Sequence, residues 1–362
     1  MKAIDQSFLE KIGDSYEVAT PGICVQAYAA GKKILDVEIG QTYTYYDLAS
    51  VTKIVFTASC LMILHDEGRY KITDKVARWV PWFPKDHPAR LKDLLCHSAG
   101  MVWWHPFYKT LMKSPQRGDT PESSWAVFQK ILHRQVLRDL SQQTTTEIQS
   151  PKTVYSDLDL FLIGIAMESI AGRSLYELWE MVNNRMELAR TDFNRGNQPR
   201  YRRTLYAPTE DDTTFRHKLI QGEVHDQNTW ALGGVAPHAG LFGTMDDLSS
   251  YGLLLRGAMQ GKKSKRFAST DAVRLFTKRA IPRRQGDWAL DFMMPSKSGA
   301  SCGDLFSQSS VGHLGFTGTS LWYDPEKDLL VTILSNRIHP SVENIEIRKL
   351  RPKIHTWIAE EL

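Results

Sequence analysis

Strand-like alternation of side chains occurs at both ends of this chain, and helical periodicity fills the middle. That distribution constrains the fold more than any other feature. Ile23–Ala29 and Lys33–Ile39 alternate around a turn at Gly31. Ser320–Tyr323 and Leu329–Leu334 form a second hairpin across Asp324-Pro325-Glu326-Lys327-Asp328. Strands at the two termini predict one sheet built from both ends, with a helical region inserted between them. The expected class is α+β, an antiparallel sheet flanked by helices. Residues 1–69 and 235–362 would form an α/β sandwich domain, and 70–234 a large, mainly helical inserted domain. A chain of 362 residues suits two such units.

The N-terminus, up to about Val18, reads as an amphipathic helix. Val51, Ile54, Val55, Ala58, Leu61, Met62 and His65 share one broad helical face, which Gly68 would stop. Further helices are expected over Leu158–Ala171, Asp246–Met259, Asp271–Thr277 and Val342–Leu362, the last capped by Ser341. Trp79–Pro88 and Ser141–Thr153 read as irregular connections. Arg195–Arg203 reads as a solvated basic loop.

Composition excludes several function classes. With 42% hydrophobic and 24% charged residues the chain is neither disordered nor fibrous. A net charge of +4 gives no support to a nucleic-acid partner, and no run of about 18 apolar residues offers a membrane span. Cys24, Cys60, Cys96 and Cys302 are isolated, so neither a zinc site nor a disulfide framework is expected. Free thiols, and an N-terminus without the pattern of a signal peptide, point to the cytoplasm. The periplasm or a secreted location applies if an export signal has been removed. Oligomeric state is not legible.

Three stretches carry chemistry. In Ser50-Val51-Thr52-Lys53 a hydroxyl and an amine lie one turn apart on a helix face, near the positive end of the helix dipole. A hydroxyl beside a proton acceptor is what nucleophilic catalysis needs. A capping serine followed by a snorkelling lysine is the plain alternative, but Lys53 sits inside an apolar helix where an unpaired charge is costly. Tyr155-Ser156-Asp157 precedes the Leu158 helix, where Ser156 or Asp157 could be no more than its cap. In Gly312-His313-Leu314-Gly315-Phe316-Thr317-Gly318-Thr319, glycines beside a strand mark either a close approach to the backbone or a bulge.

Together, in this order and wide spacing, the three stretches resemble the Ser-x-x-Lys, Tyr-x-Asn and Lys/His-Thr-Gly elements of the β-lactamase-related serine hydrolases. That group holds class C β-lactamases, serine DD-peptidases and β-lactamase-fold esterases. Leu94-Leu95-Cys96-His97-Ser98-Ala99-Gly100, Gly222-Glu223-Val224-His225-Asp226 and Leu232–Phe242 are similar as well. The resemblance implies a β-lactamase/transpeptidase-like fold with its active site between sheet and helical region. It implies Ser50 as nucleophile and acyl carrier, Lys53 and Tyr155 as managers of its proton, and the backbone N–H groups of Ser50 and Phe316 as oxyanion hole. His313, Leu314 and Gly315 would line the strand edge against substrate, beside Asp157. No metal or cofactor is called for.

Two departures bear on substrate. Asp157 stands where β-lactam-recognising members carry Asn, and an ionised Asp only accepts hydrogen bonds. Leu314 removes the hydroxyl that would bind the carboxylate of a penicillin or D-alanyl peptide. A small-molecule ester or other acyl substrate is therefore expected. The rivals are a DD-peptidase or weak class C-like β-lactamase and, from another class, a non-catalytic binding module. Asp157 would keep Lys53 charged, and Lys53 would lower the pKa of Tyr155, so Tyr155 as phenolate is expected to take the Ser50 proton. His313 could titrate near 6.5 and favour anionic substrates as pH falls, or be a plain strand-edge histidine. His225, Asp226 and His238 read as loop-stabilising rather than metal-binding. Trp82, Phe107 and Tyr108 cluster with Trp103-Trp104-His105-Pro106, which is either core or an apolar substrate wall.

Overall fold

The computed structural model describes residues 3–143 and 153–362. The N-terminal segment expected as one helix is two, α1 (Ala3–Ile12) and α2 (Ser15–Ala19), because Gly13 turns left-handed between them. β1 (Gly22–Ala29) and β2 (Lys32–Gly40) follow, joined through Ala30 and Gly31 at φ 49° and 76°, as a tight hairpin turn requires. β3 (Tyr46–Asp47) leads to a π-helical segment, Lys53–Ala58, that continues into α3 (Ser59–Asp66). The helical part comprises α4 (Val76–Trp79), α5 (Leu91–Leu95), α6 (Phe107–Met112), α7 (Pro121–Gln142), α8 (Asp157–Ala171) and α9 (Leu175–Met186). Short strands that periodicity did not reveal come next: β4 (Asp192–Phe193), β5 (Pro208–Asp212) and β6 (Lys218–Gln221). The order closes with α10 (Gln227–Ala231), β7 (Leu241–Gly243), α11 (Met245–Met259), α12 (Thr270–Thr277), β8 (Val311–Leu314), β9 (Ser320–Asp324), β10 (Leu329–Ser335) and α13 (Ile347–Glu360).

The main sheet is antiparallel, in the order β2-β1-β10-β9-β8. Its two ends of sequence meet where β1 pairs with β10, from Ile23 opposite Ser335 to Ala29 opposite Leu329. Period two then sorts the side chains into two cores. Leu321, Tyr323, Leu330 and Leu334 pack with Leu248, Tyr251 and Leu255 of α11. Trp322, Val331 and Ile333 pack on the opposite face, with Phe8 and Ile12 of α1 and Ile347, Leu350 and Ile354 of α13.

The helix expected from Val342 begins only at Ile347. Arg337 is the reason. Its Nη1 donates to the carbonyls of Val342 and Asn344, drawing that segment off a helical path. Ser341 accepts from the Glu343 N–H instead of capping the helix. The connection expected over Ser141–Thr153 starts with the end of α7, and its residues 144–152 lie outside the described residues. Among the described residues no helix is long and apolar enough to cross a membrane.

α8 is buried on nearly every side from Leu158 to Met167, so its entry is fixed by packing and by its cap. The Ser156 hydroxyl accepts from the N–H groups of Leu158 (3.1 Å) and Asp159 (3.3 Å) and donates to the Val102 carbonyl (2.7 Å). Ser156→Ala should cost about 1–2 kcal/mol through the lost cap, read as a lower urea midpoint with an unchanged slope.

Candidate active site

Ser50 is presented by a constrained turn. The Leu48 N–H donates to Leu241 O, beside the β3–β7 pairing. Asp47, 2% exposed, takes the N–H groups of Ala49 (2.8 Å) and His225 (2.7 Å) on its two carboxylate oxygens. Ala49 is thereby held at φ +46°, an uncommon conformation for a residue with a Cβ. Ser50 follows at the start of the helix, and Lys53 opens the π-helical segment.

Lys53 is fully buried, and each of its three N–H groups has an acceptor: Ser50 Oγ (3.0 Å), Asp157 Oδ1 (3.0 Å) and the His238 carbonyl (3.2 Å). Burial pulls its pKa down, but the Asp157 carboxylate and the Tyr155 oxygen outweigh burial and leave it above the ordinary lysine value. Lys53 is an ammonium, as the sequence suggested. Tyr155 Oη donates to Ser50 Oγ at 2.9 Å, and its ring stacks on Trp288 at 5.8 Å and meets His97 at 4.8 Å. Its pKa is raised, not lowered. Burial of the phenol is the main cause, opposed by Lys53 and reinforced by Asp157. The expected resting phenolate is therefore corrected to a neutral phenol.

Asp157 opens α8, bonds Lys53, and donates its backbone N–H to the Trp103 carbonyl at 3.0 Å. Ser156 is the cap, so the two readings of Tyr155-Ser156-Asp157 apply to different residues. His313, 1% exposed, donates from Nδ1 to the Leu314 carbonyl (2.8 Å). Burial, then the Lys53 charge, push its pKa down to about 3. It is neutral throughout the working range, which overturns the expectation that it attracts anions as pH falls. His97 is also held neutral, by burial, then Lys53 and His313. Asp159 beside it is pushed well up by burial, then Asp93 and Asp157.

Gly315 lies against the turn that carries Ser50. A Cβ there would fall 2.0 Å from Thr319 Oγ1 and 2.7 Å from Leu48 O, so the close-approach reading of this glycine-rich stretch applies. Thr317 Oγ1 donates to Asp47 O (2.7 Å) and Thr319 Oγ1 to Leu48 O (3.1 Å), strapping the two segments together. Among the described residues the N–H groups of Ser50 and Phe316 find no acceptor. Leu314 is half-buried against the α13-side core, and Phe316 is 48% exposed.

His225 bonds Glu210 (2.9 Å) and His238 bonds Asp226 (3.3 Å), both within the loops around the site. Asp157, Asp226 and His238 each present a ligand-type atom within 4.8 Å of one another, but Lys53 already places an ammonium on Asp157. Sequence reasoning missed Asp47 and Trp288. No local pattern links Trp288 to Tyr155, far away in the chain.

A model of the family described as Beta-lactamase matches residues 8–354. A protein of Escherichia coli (strain K12), provisionally named D-alanyl-D-alanine carboxypeptidase, is 28% identical over 356 residues, covering 89% of this chain and 77% of its own. A protein of the same name from Salmonella typhi is 28% identical over 352 residues, with the same coverage. Among solved structures, EstCE1, a hydrolase with promiscuous acyltransferase activity, superposes with a TM-score of 0.66 at 19% identity, covering 96% of this chain and 99% of its own. The octameric penicillin-binding protein homologue from Pyrococcus abyssi gives 0.65 at 18% identity, covering 96% and 76%. At these identities the two structures speak for the fold alone.

The buried histidines set an acid limit on stability. His313 and His355 have folded-state values of about 3 and 4, both lowered mainly by burial, against about 6.5 unfolded. Between those limits the unfolded chain binds protons that the folded chain refuses. Stability is thus complete above about pH 6.5 and falls with pH, by about 1.4 kcal/mol per pH unit for each such histidine. Urea titrations from neutral to acid pH should show this slope, and His313→Asn should flatten it by one histidine's share. An unchanged slope in that variant would mean that His313 is charged in the fold.

Proposed function

This chain belongs to the β-lactamase family and is a serine hydrolase of that fold; from that premise we propose that it cleaves carboxylic esters through an acyl-enzyme on Ser50. The observation that carries the reading is the position of Ser50 Oγ, 2.9 Å from the Tyr155 hydroxyl and 3.0 Å from the Lys53 ammonium. The reactive form is the one in which Tyr155, 37% exposed, has given its proton to solvent. Its phenolate then takes the Ser50 proton as Oγ attacks the ester carbonyl, while Lys53 remains cationic and stabilises the phenolate. The oxyanion is received by the N–H groups of Ser50 and Phe316, which have no other acceptor among the described residues. Tyr155 passes the proton to the departing alkoxide, and a water repeats the sequence to release the acid.

The charge distribution supports a neutral substrate. Lys53 has no N–H to spare, His313 is uncharged, and Leu314 offers no hydroxyl, so nothing along the β8 edge pairs with a terminal carboxylate. An apolar rim supports an acyl group beyond acetyl. Val102 (39% exposed), Trp103 (65%), Tyr155 and Phe316 all lie on segments hydrogen-bonded to, or strapped against, the site. A D-alanyl-D-alanine peptide is the second reading, favoured by the relatives' name. Four buried, unpaired cysteines support a reducing compartment such as the cytoplasm.

Two outcomes are expected. Ser50→Ala should abolish turnover of p-nitrophenyl esters with a nearly unchanged Tm. Tyr155→Phe should slow acylation about 10²–10⁴-fold, and only the parent's kcat/KM should climb with pH above neutrality. Ester turnover surviving in Ser50→Ala would remove the nucleophile assignment. Second, p-nitrophenyl butyrate should be a far better substrate than a D-alanyl-D-alanine peptide, and Trp103→Ala should penalise long acyl chains more than acetate. Faster release of D-alanine than of p-nitrophenol would replace the ester reading by the peptidase one.

A further inference from the structure

Arginine keeps its charge in a largely buried setting, so a buried arginine whose guanidinium lacks an acceptor is a candidate partner for a negative group. Such a group lies at the start of α13. Arg351 is 5% exposed, its Nε is closed off without a partner, and among the described residues its guanidinium has no hydrogen-bond acceptor. Arg348, exposed, precedes it by three residues on the same side of the helix.

Arg337, 3% exposed, brings a third guanidinium to the same end. Its Nη1 is fastened to the carbonyls of Val342 (3.0 Å) and Asn344 (2.5 Å), on the segment entering α13. Its Nε holds the Phe316 carbonyl at 2.7 Å, and the group lies 4.3 Å over the Phe316 ring. Among the described residues none of the three arginines has a carboxylate within 4.0 Å. Glu346, at the helix start, is paired with Lys349 (2.8 Å), and Glu343 lies on the exposed turn. Ser335 adds a buried hydroxyl with no partner. A Cβ at Gly318 would meet Ser335 Oγ at 2.1 Å and Arg337 Cγ at 3.0 Å, so hydroxyl and arginine stem both pack closely against that glycine. The charges also press on one another. Burial, then Arg337 and Arg348, push Arg351 down to about 9, and burial, then Arg348, push Arg337 down to about 10.

We propose that the start of α13 is a binding site for a small inorganic oxoanion of the phosphate type, gripped by the guanidinium groups of Arg351 and Arg348, with Arg337 behind them. A guanidinium fork matches two oxygens of such an anion, and the cluster lacks the carboxylate that would otherwise fill that role. The site stands apart from the ester reading and does not depend on it.

The test is thermal unfolding of the full chain in a phosphate-free buffer, with phosphate or chloride added at equal ionic strength. Phosphate in the millimolar range should raise Tm by several degrees and chloride should not. Arg351→Met should abolish the phosphate response, and its own Tm without phosphate should equal or exceed the parent's, since an apolar chain replaces an unpaired buried charge. Arg348→Ala, an exposed change that leaves the core alone, should raise the phosphate Kd about ten- to a hundredfold. Ester turnover should be insensitive to phosphate. An equal response to chloride, or a phosphate response that persists in both variants, would overturn the proposal. Competition between phosphate and the ester would place the anion in the substrate cleft and overturn it as a separate site.

Discussion

A buried ammonium with every proton committed organises this molecule. Lys53 is taken wholly out of water, and that is tolerable only because Asp157, Ser50 and the His238 carbonyl each accept one of its N–H groups. Those acceptors come from the first residue of α8, the turn before the π-helical segment, and the loop before β7. Meeting the needs of one side chain thus fixes the mutual position of three distant pieces of chain. The loop is held a second time, by Thr57 Oγ1 on the Pro237 carbonyl, one π-helical turn beyond Lys53.

Around that ammonium the protein has removed competing charge. His97 and His313 are held neutral and the Asp159 carboxyl is pushed well above the usual carboxylate range, in each case chiefly by burial. Lys53 and Asp157 form the ion pair at the centre, and Asp226, which His238 and the Thr229 N–H hold below the usual carboxylate range against burial, lies close to Asp157. Tyr155 sits at the open side of this arrangement, its ring backed by Trp288 and His97 and its oxygen on Ser50. In the reaction proposed above, that phenol is the group that takes and returns the Ser50 proton, while the sealed lysine keeps its own.

The second constraint is steric. Ala49 is kept in a left-handed conformation by Asp47, and Gly315 has to be glycine because the turn that carries Ser50 passes within contact of it. Thr317 and Thr319 then tie the β8–β9 turn to Asp47 and Leu48. The N–H groups of Ser50 and Phe316, which have no acceptor among the described residues, lie on the two segments that those straps bring together.

Much of this was legible in the residues. Alternation in Ile23–Ala29 and Leu329–Leu334 identified the central strands, the apolar run after Leu158 identified α8, and the glycines at 312–318 narrowed that stretch to a close approach or a bulge. These are short-range signals of pattern, capping and backbone freedom, which a sequence carries by itself. What it could not carry was the protonation of Tyr155 and His313, the delayed start of α13, or the roles of Asp47, Trp288 and Arg337. Each depends on burial or on a partner that lies far away in the chain. The sequence determined which residues could do chemistry and which segments would be strand or helix. The tertiary structure alone decided which of them meet and in what charge state, because desolvation and long-range pairing exist only once the chain has closed around them.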